Sequence, residues 1–144
     1  MTNKTTEEFS NLARFAVEIA SDKLASDIVM LDIREMQSFT DYFIIITVDS
    51  QRQMNTLLDE LSISLKDKGR SAHHIEGSSH SGWLLMDYGE FVIHLFGPEE
   101  RIYYDLENIW NEGKVAFRIQ YSKYLCLCRN QLFPHRKRTN LFRV

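Results

Sequence analysis

The chain has 144 residues, of which 44% are hydrophobic, 12% aromatic and 26% charged, with six Gly and two Pro. Those proportions suit one ordinary globular domain and exclude a disordered, collagenous or multidomain chain. The formal charge of −3 averages two unlike parts: residues 1–120 carry 11 Lys and Arg against 20 Asp and Glu, net −9, while residues 121–144 carry six Lys and Arg and no acid, net +6.

The first element is a helix. Thr5-Thr6-Glu7-Glu8 fits a capping box, and Phe9, Leu12, Ala13, Ala16, Ile19 and Ala20 then recur at three- and four-residue spacing to about Lys23. Ile28 to Ile33 and Tyr42 to Val48 are short apolar runs bounded by polar residues, as expected of strands covered on both faces, and the connection Arg34 to Asp41 lets them pair antiparallel. Ser50 and Gln53 make a second capping box ahead of the stripe Met54, Leu57, Leu58, Leu61 and Leu65, which Gly69 ends in a left-handed conformation. This helix crosses to a third strand, Ser71 to Glu76.

Trp83 to Asp87 and Phe91 to Phe96 predict a hairpin turning at Tyr88-Gly89-Glu90. Pro98, with Glu99 and Glu100 behind it, opens a last helix whose apolar stripe is Ile102, Leu106, Ile109 and Trp110, packed back on the sheet. The expected architecture is therefore α+β, a single domain with a five-stranded mixed sheet in the order α-β-β-α-β-β-β-α. Val115 to Leu127 is apolar enough for a helix or a strand, and Phe133 to Arg138 reads as a loose basic segment.

Catalytic signatures are absent. No phosphate loop, G-x-G-x-x-G turn, H-E-x-x-H or G-x-S-x-G elbow occurs. His73, His74, His80 and His94 invite a metal reading, yet the adjacent His73 and His74 point to opposite faces of a strand and cannot easily share an ion, so no metal is expected. A chain of this length needs no disulfide or metal staple, and Cys126 and Cys128, one residue apart without a matching second set, read as free thiols. Asp32 and Asp41 flank the first strand connection and could hold Mg²⁺, but that chemistry needs a phosphate cradle that is not visible, so Asp41 reads as a turn cap. No cofactor is expected. The longest apolar run, Tyr42 to Val48, is far short of the roughly 20 residues of a membrane span, and the N-terminal residues lack a secretory or transit pattern, so a cytoplasmic protein is expected. On the hairpin, Leu84, Met86 and Tyr88 face one way and Trp83, Leu85 and Asp87 the other, which makes an aromatic protein-binding patch beside an acid if the second face is not fully covered.

Five segments in series then carry a family resemblance: Ser38 to Ile45, Ser50 to Gln53, His74 to Gly77, Trp83 to His94 and Arg101 to Trp110. Their order and spacing over nearly all of residues 9–110 resemble the ribosomal silencing factor (Iojap-like) family. The resemblance implies a nucleotidyltransferase-like fold without enzymatic activity. It implies binding to the large ribosomal subunit through ribosomal protein number fourteen, a block on small-subunit joining, and repression of translation when nutrients are short. Relatives in organelles assist large-subunit assembly, and relatives often form homodimers. Carried onto matching positions, Trp83, Asp87, Tyr88, Tyr104 and Leu106 are the expected partner contacts, while Thr40, Asp41, Gly77 and His94 shape the sheet and its turns. Two departures stand out: many relatives have Gly-Thr-Ser where this chain has Val48-Asp49-Ser50, and relatives commonly end near Trp110. Residues 1–110 are thus the expected family-like domain and residues 111–144 a basic extension, within which the +6 charge of residues 121–144 suits rRNA contact.

Overall fold

The computed structural model of the chain describes residues 2–36, 39–120 and 140–142. Helix α1 (Thr2–Asp22) is followed by strand β1 (Ser26–Asp32), a 3-10 turn (Arg34–Met36), β2 (Tyr42–Thr47), α2 (Gln51–Asp67), β3 (His74–Ser78), β4 (Trp83–Asp87), β5 (Phe91–Phe96), α3 (Pro98–Tyr104), α4 (Leu106–Ile109), β6 (Lys114–Gln120) and β7 (Asn140–Phe142). The seven strands form one sheet in the order β3-β4-β5-β2-β1-β6-β7. All neighbours run antiparallel except β2 and β5, which are parallel in the register Tyr42 with Phe91 through Thr47 with Phe96.

The α+β class, the β1–β2 pairing and the hairpin match expectation; the strand count does not. Five strands were expected because the pattern after Trp110 was ambiguous, yet Lys114–Gln120 pairs antiparallel with β1, and Asn140–Phe142 pairs with β6. Helix α1 begins at Thr2, so Thr5 lies inside it and is not its cap. At α2 the expected cap forms: Ser50 Oγ accepts from the Gln53 backbone N–H at 3.1 Å, and Gln53 Oε1 accepts from the Asp49 N–H at 2.7 Å. The last helix is broken in two at Asp105, whose φ of 46° and ψ of 51° are left-handed. Asp tolerates that region better than most residues.

The sheet's two faces are covered differently. On the first, α1 and α2 close a core that includes Ala13, Ala16, Leu57, Leu61, Ile28, Ile44, Met86, Ile93 and Leu95. On the second, Val29, Leu31, Ile33, Phe43, Ile45, Val92 and Phe96 are roofed by the 3-10 turn and α3–α4, through Met36, Leu106 and Trp110. Burial on both faces explains why β2 and β5 read as unbroken apolar runs while β4 alternates. Strand β3 forms one edge and is exposed throughout. Gly77 on that edge has φ of 86°, and a Cβ there would collide with the carbonyl oxygen of Trp83.

Candidate functional site

The second face carries a continuous layer of rings. Trp83 stands across from Phe96 in the β4–β5 register and stacks on it at a centroid distance of 5.2 Å. Tyr104 from α3 lies 4.4 Å from Trp83 and touches Tyr103 edge-on at 5.1 Å. In the other direction His94 meets Phe43 edge-on at 5.1 Å, Phe43 meets Trp110 at 5.2 Å, and Phe39 packs on Phe43 at 5.8 Å. The layer therefore runs from the segment before β2 across β2, β5 and β4 to α3. Its margin is open: Phe39 is 72% exposed, Tyr103 81% and Ile102 79%. Large apolar groups are thus left exposed at both ends of the layer, as at surfaces that bind another molecule.

The structure brings together three of the expected contacts. Trp83 is half-buried, Tyr104 lies against it, and Leu106 packs into the same cluster from α4. Asp87 shares the face of Trp83 but lies at the far end of β4, where its Oδ1 accepts from the Gly89 backbone N–H at 2.8 Å and holds the hairpin turn. Tyr88 corrects the expectation: it is 2% exposed, stacks on Phe91 at 4.9 Å on the helix-covered face, and is a core residue. The alternation along β4 dictates this, since Tyr88 follows Asp87 by one residue. Burial also pushes the Tyr88 hydroxyl up to about 12. Phe39, Tyr103 and Trp110 were not among the expected contacts. The sequence signal for Tyr103 was its place beside Tyr104, masked by an assumed unbroken helix with Ile102 and Ile109 turned inward. Both are exposed, at 79% and 64%.

The residues assigned to turns have specific duties. Thr40 is buried just before β2, and Asp41 accepts the Ile33 N–H on its carbonyl at 2.9 Å while its own N–H donates to the Glu90 carbonyl at 2.9 Å. These bonds tie the first connection to the hairpin through the backbone of Asp41, where a side-chain cap was expected. His94, 4% exposed, accepts from Trp83 Nε1 on its Nδ1 at 3.2 Å, and burial pushes its imidazole down to about 4.

Two charged clusters frame the face. Asp32 is partly buried, which raises its carboxyl, but Arg34 outweighs this by bonding both oxygens, from Nε at 2.9 Å and Nη2 at 2.7 Å, so the net shift is downward. Arg101, 8% exposed, ties α3 to the sheet. Its guanidinium donates to the Asp27 carbonyl, to Thr47 Oγ1 at 2.8 Å and from Nε to Glu107 Oε1 at 2.9 Å, and its Nη2 lies within ion-pair distance of the same oxygen at 2.7 Å. Asp27 sits in a bulge of β1 with φ of 43°, and its carboxylate lies 3.5 Å from Arg101 and 3.2 Å from Arg118 of β6. Among the described residues no group of three His, Cys, Asp or Glu side chains is placed to hold a metal ion, and no helix is long and apolar enough to cross a membrane.

Comparison with known proteins adds to this geometry. The family model described as "Ribosomal silencing factor during starvation" matches residues 6–137, well past Trp110. The chain is 32% identical to "Ribosomal silencing factor RsfS" of Chromobacterium violaceum over 116 residues, covering 81% of this chain and 95% of that one. It is 35% identical over 97 residues to "Mitochondrial assembly of ribosomal large subunit protein 1" of Mus musculus, covering 65% of this chain and 42% of that one. A crystal structure of a Chromobacterium violaceum protein superposes with a TM-score of 0.67 at 32% identity, covering 71% of this chain and 85% of that one.

Proposed function

The chain belongs to the ribosomal silencing factor family, and from that premise we propose that it binds the large ribosomal subunit through ribosomal protein number fourteen and sterically blocks joining of the small subunit, repressing translation in the cytoplasm. The observation that carries this reading is the ring layer centred on Trp83 and Tyr104, whose margin stays exposed while the opposite face of the sheet is closed by two helices. Such a surface suits docking. The net charge of −9 over residues 1–120 suits a basic protein partner, and the +6 of residues 121–144 suits rRNA beside it. A homodimer formed through the same face competes with ribosome binding in this reading.

The nucleotidyltransferase-like fold that the family resemblance implies brings shape without chemistry in this proposal. Asp32, one of the two carboxylates that could hold Mg²⁺, has both oxygens engaged by Arg34, so a metal would have to displace a bidentate ion pair. Titration with a nucleoside triphosphate and Mg²⁺ is expected to give no saturable heat. Binding that is lost in Asp41→Ala would reverse that reading.

Co-sedimentation with isolated large subunits tests the docking itself. Trp83→Ala is expected to weaken association by about 2 kcal/mol or more, as loss of a central aromatic anchor does, with the circular dichroism spectrum unchanged. Association at wild-type strength would remove Trp83 from the contact. A second reading, large-subunit assembly without silencing, is supported by the name of the Mus musculus relative and uses the same face. Accumulation of large-subunit precursors in deletion cells, with normal subunit joining, would favour it.

A further inference from the structure

Trp83 owns one polar group, and the fold uses it internally. The indole N–H donates to Nδ1 of His94 at 3.2 Å, across the diagonal of the β4–β5 ladder, where Trp83 faces Phe96 and His94 faces Leu85. To accept this bond Nδ1 must carry a lone pair, so the neutral ring holds its proton on Nε2. That nitrogen is buried without a protein partner among the described residues. The imidazole is enclosed by rings, with Phe43 edge-on at 5.1 Å and Phe96 parallel at 6.0 Å. For packing alone an apolar side chain would suit this place better, since an unpaired buried N–H is costly. What compensates is the hold on Trp83.

We propose that His94 is a positioning residue for Trp83: it fixes the indole against Phe96 and Tyr104 and takes its N–H out of recognition, so that Trp83 meets its partner by its ring face and the surface it enters is apolar. The proposal rests on the docking reading above. It places on the partner a hydrophobic pocket with no acceptor reserved for the indole, and it makes His94 act on binding without touching the partner.

The test compares two replacements that both lose the imidazole ring. His94→Asn puts Oδ1 where Nδ1 was and keeps an acceptor; His94→Leu keeps bulk and removes it. Both are checked for folding by circular dichroism. In the free protein, the Trp83 indole N–H resonance, assigned apart from that of Trp110, is expected to be protected from solvent exchange in wild type and in His94→Asn and to lose protection in His94→Leu. Affinity for large subunits is expected to fall about tenfold in His94→Leu, the order of one lost hydrogen bond, and to be largely restored in His94→Asn. Equal losses in the two variants would make His94 a packing residue and overturn the proposal. Tighter binding by His94→Leu would show that the partner wants the N–H and would overturn it as well. If the wild-type chain does not sediment with large subunits, the docking reading fails, and the indole exchange pattern still tells whether His94 holds Trp83.

Discussion

Burial holds the His94 imidazole at about 4, against an ordinary value near 6.5, and this has a sign. Between those two values the unfolded chain takes up a proton that the native state refuses, so acid favours unfolding. Stability is unaffected above pH 6.5 and falls as pH drops through the window toward 4, by roughly 3 kcal/mol over its full width. Urea midpoints measured across pH 4 to 7 should show this slope in wild type and a much flatter one in His94→Asn. An equal slope in both would assign it to other groups. Asp32 acts in a lower window: its depressed carboxyl stabilises the fold above 3.8 and loses that contribution as pH falls further. The role of His94 at Trp83 was beyond the sequence, because a histidine amid Val92, Ile93 and Leu95 reads equally well as a sheet-shaping residue. Tyr88 was misplaced for a simpler reason. The family resemblance, carried onto its position, implied a contact, and the strand's alternation, which put it with Leu84 and Met86, was the stronger physical signal.

At the level of elements, the break at Asp105 organises the ring-covered face. Arg101 and Glu107 are six residues apart, which in a continuous helix would put them on different sides. The left-handed Asp105 folds α4 back so that the two make an ion pair at 2.7 Å and Leu106 packs against the sheet. Arg101→Leu should leave Asp27 and Glu107 with Arg118 as their remaining cation and cost roughly 2–3 kcal/mol, short of the full penalty for a buried pair because both carboxylates are partly exposed. Guanidinium unfolding measures it, and a loss below about 1 kcal/mol would make the cluster incidental, as exposed pairs are. Gly77→Ala should destabilise by about 1–3 kcal/mol, through the positive φ and the collision with the Trp83 carbonyl; an unchanged urea midpoint would contradict that. Capping signals gave the start of α2 because Ser50 and Gln53 act locally. The break at Asp105 depends on a buried arginine 74 residues along from its Asp27 acceptor, which no local pattern contains.

Over the whole molecule, the helix-covered face and the ring-covered face have different roles, and the sequence was more informative about the first. Stripes at helical spacing and apolar runs identified α1, α2, β1, β2, β4 and β5, which build the core. The edges were harder. Strand β3 starts at His74, where Ser71 was expected, because an exposed edge strand shows no apolar alternation. Strand β6 was ambiguous because its partner β1 lies 82 residues away at Asp32 and Lys114. Its pairing makes residues 114–120 part of the same sheet as the ring-covered face, and Arg118 joins the cluster that holds α3. The basic residues beyond it bear on affinity in a way separable from the strand pairing: replacing Arg136, Lys137 and Arg138 by Gln, with Asn140–Phe142 unchanged, is expected to reduce the salt dependence of large-subunit binding, and an unchanged salt slope would remove the proposed rRNA contact. A chain that occupies a surface needed by the small subunit must be bound first to block joining, and order of addition tests this. Large subunits preincubated with the chain and then mixed with small subunits should give fewer joined ribosomes on a sucrose gradient, while the Trp83→Ala protein at the same concentration should not reduce joining. Equal joining with and without saturating wild-type chain bound to the large subunit would contradict the account.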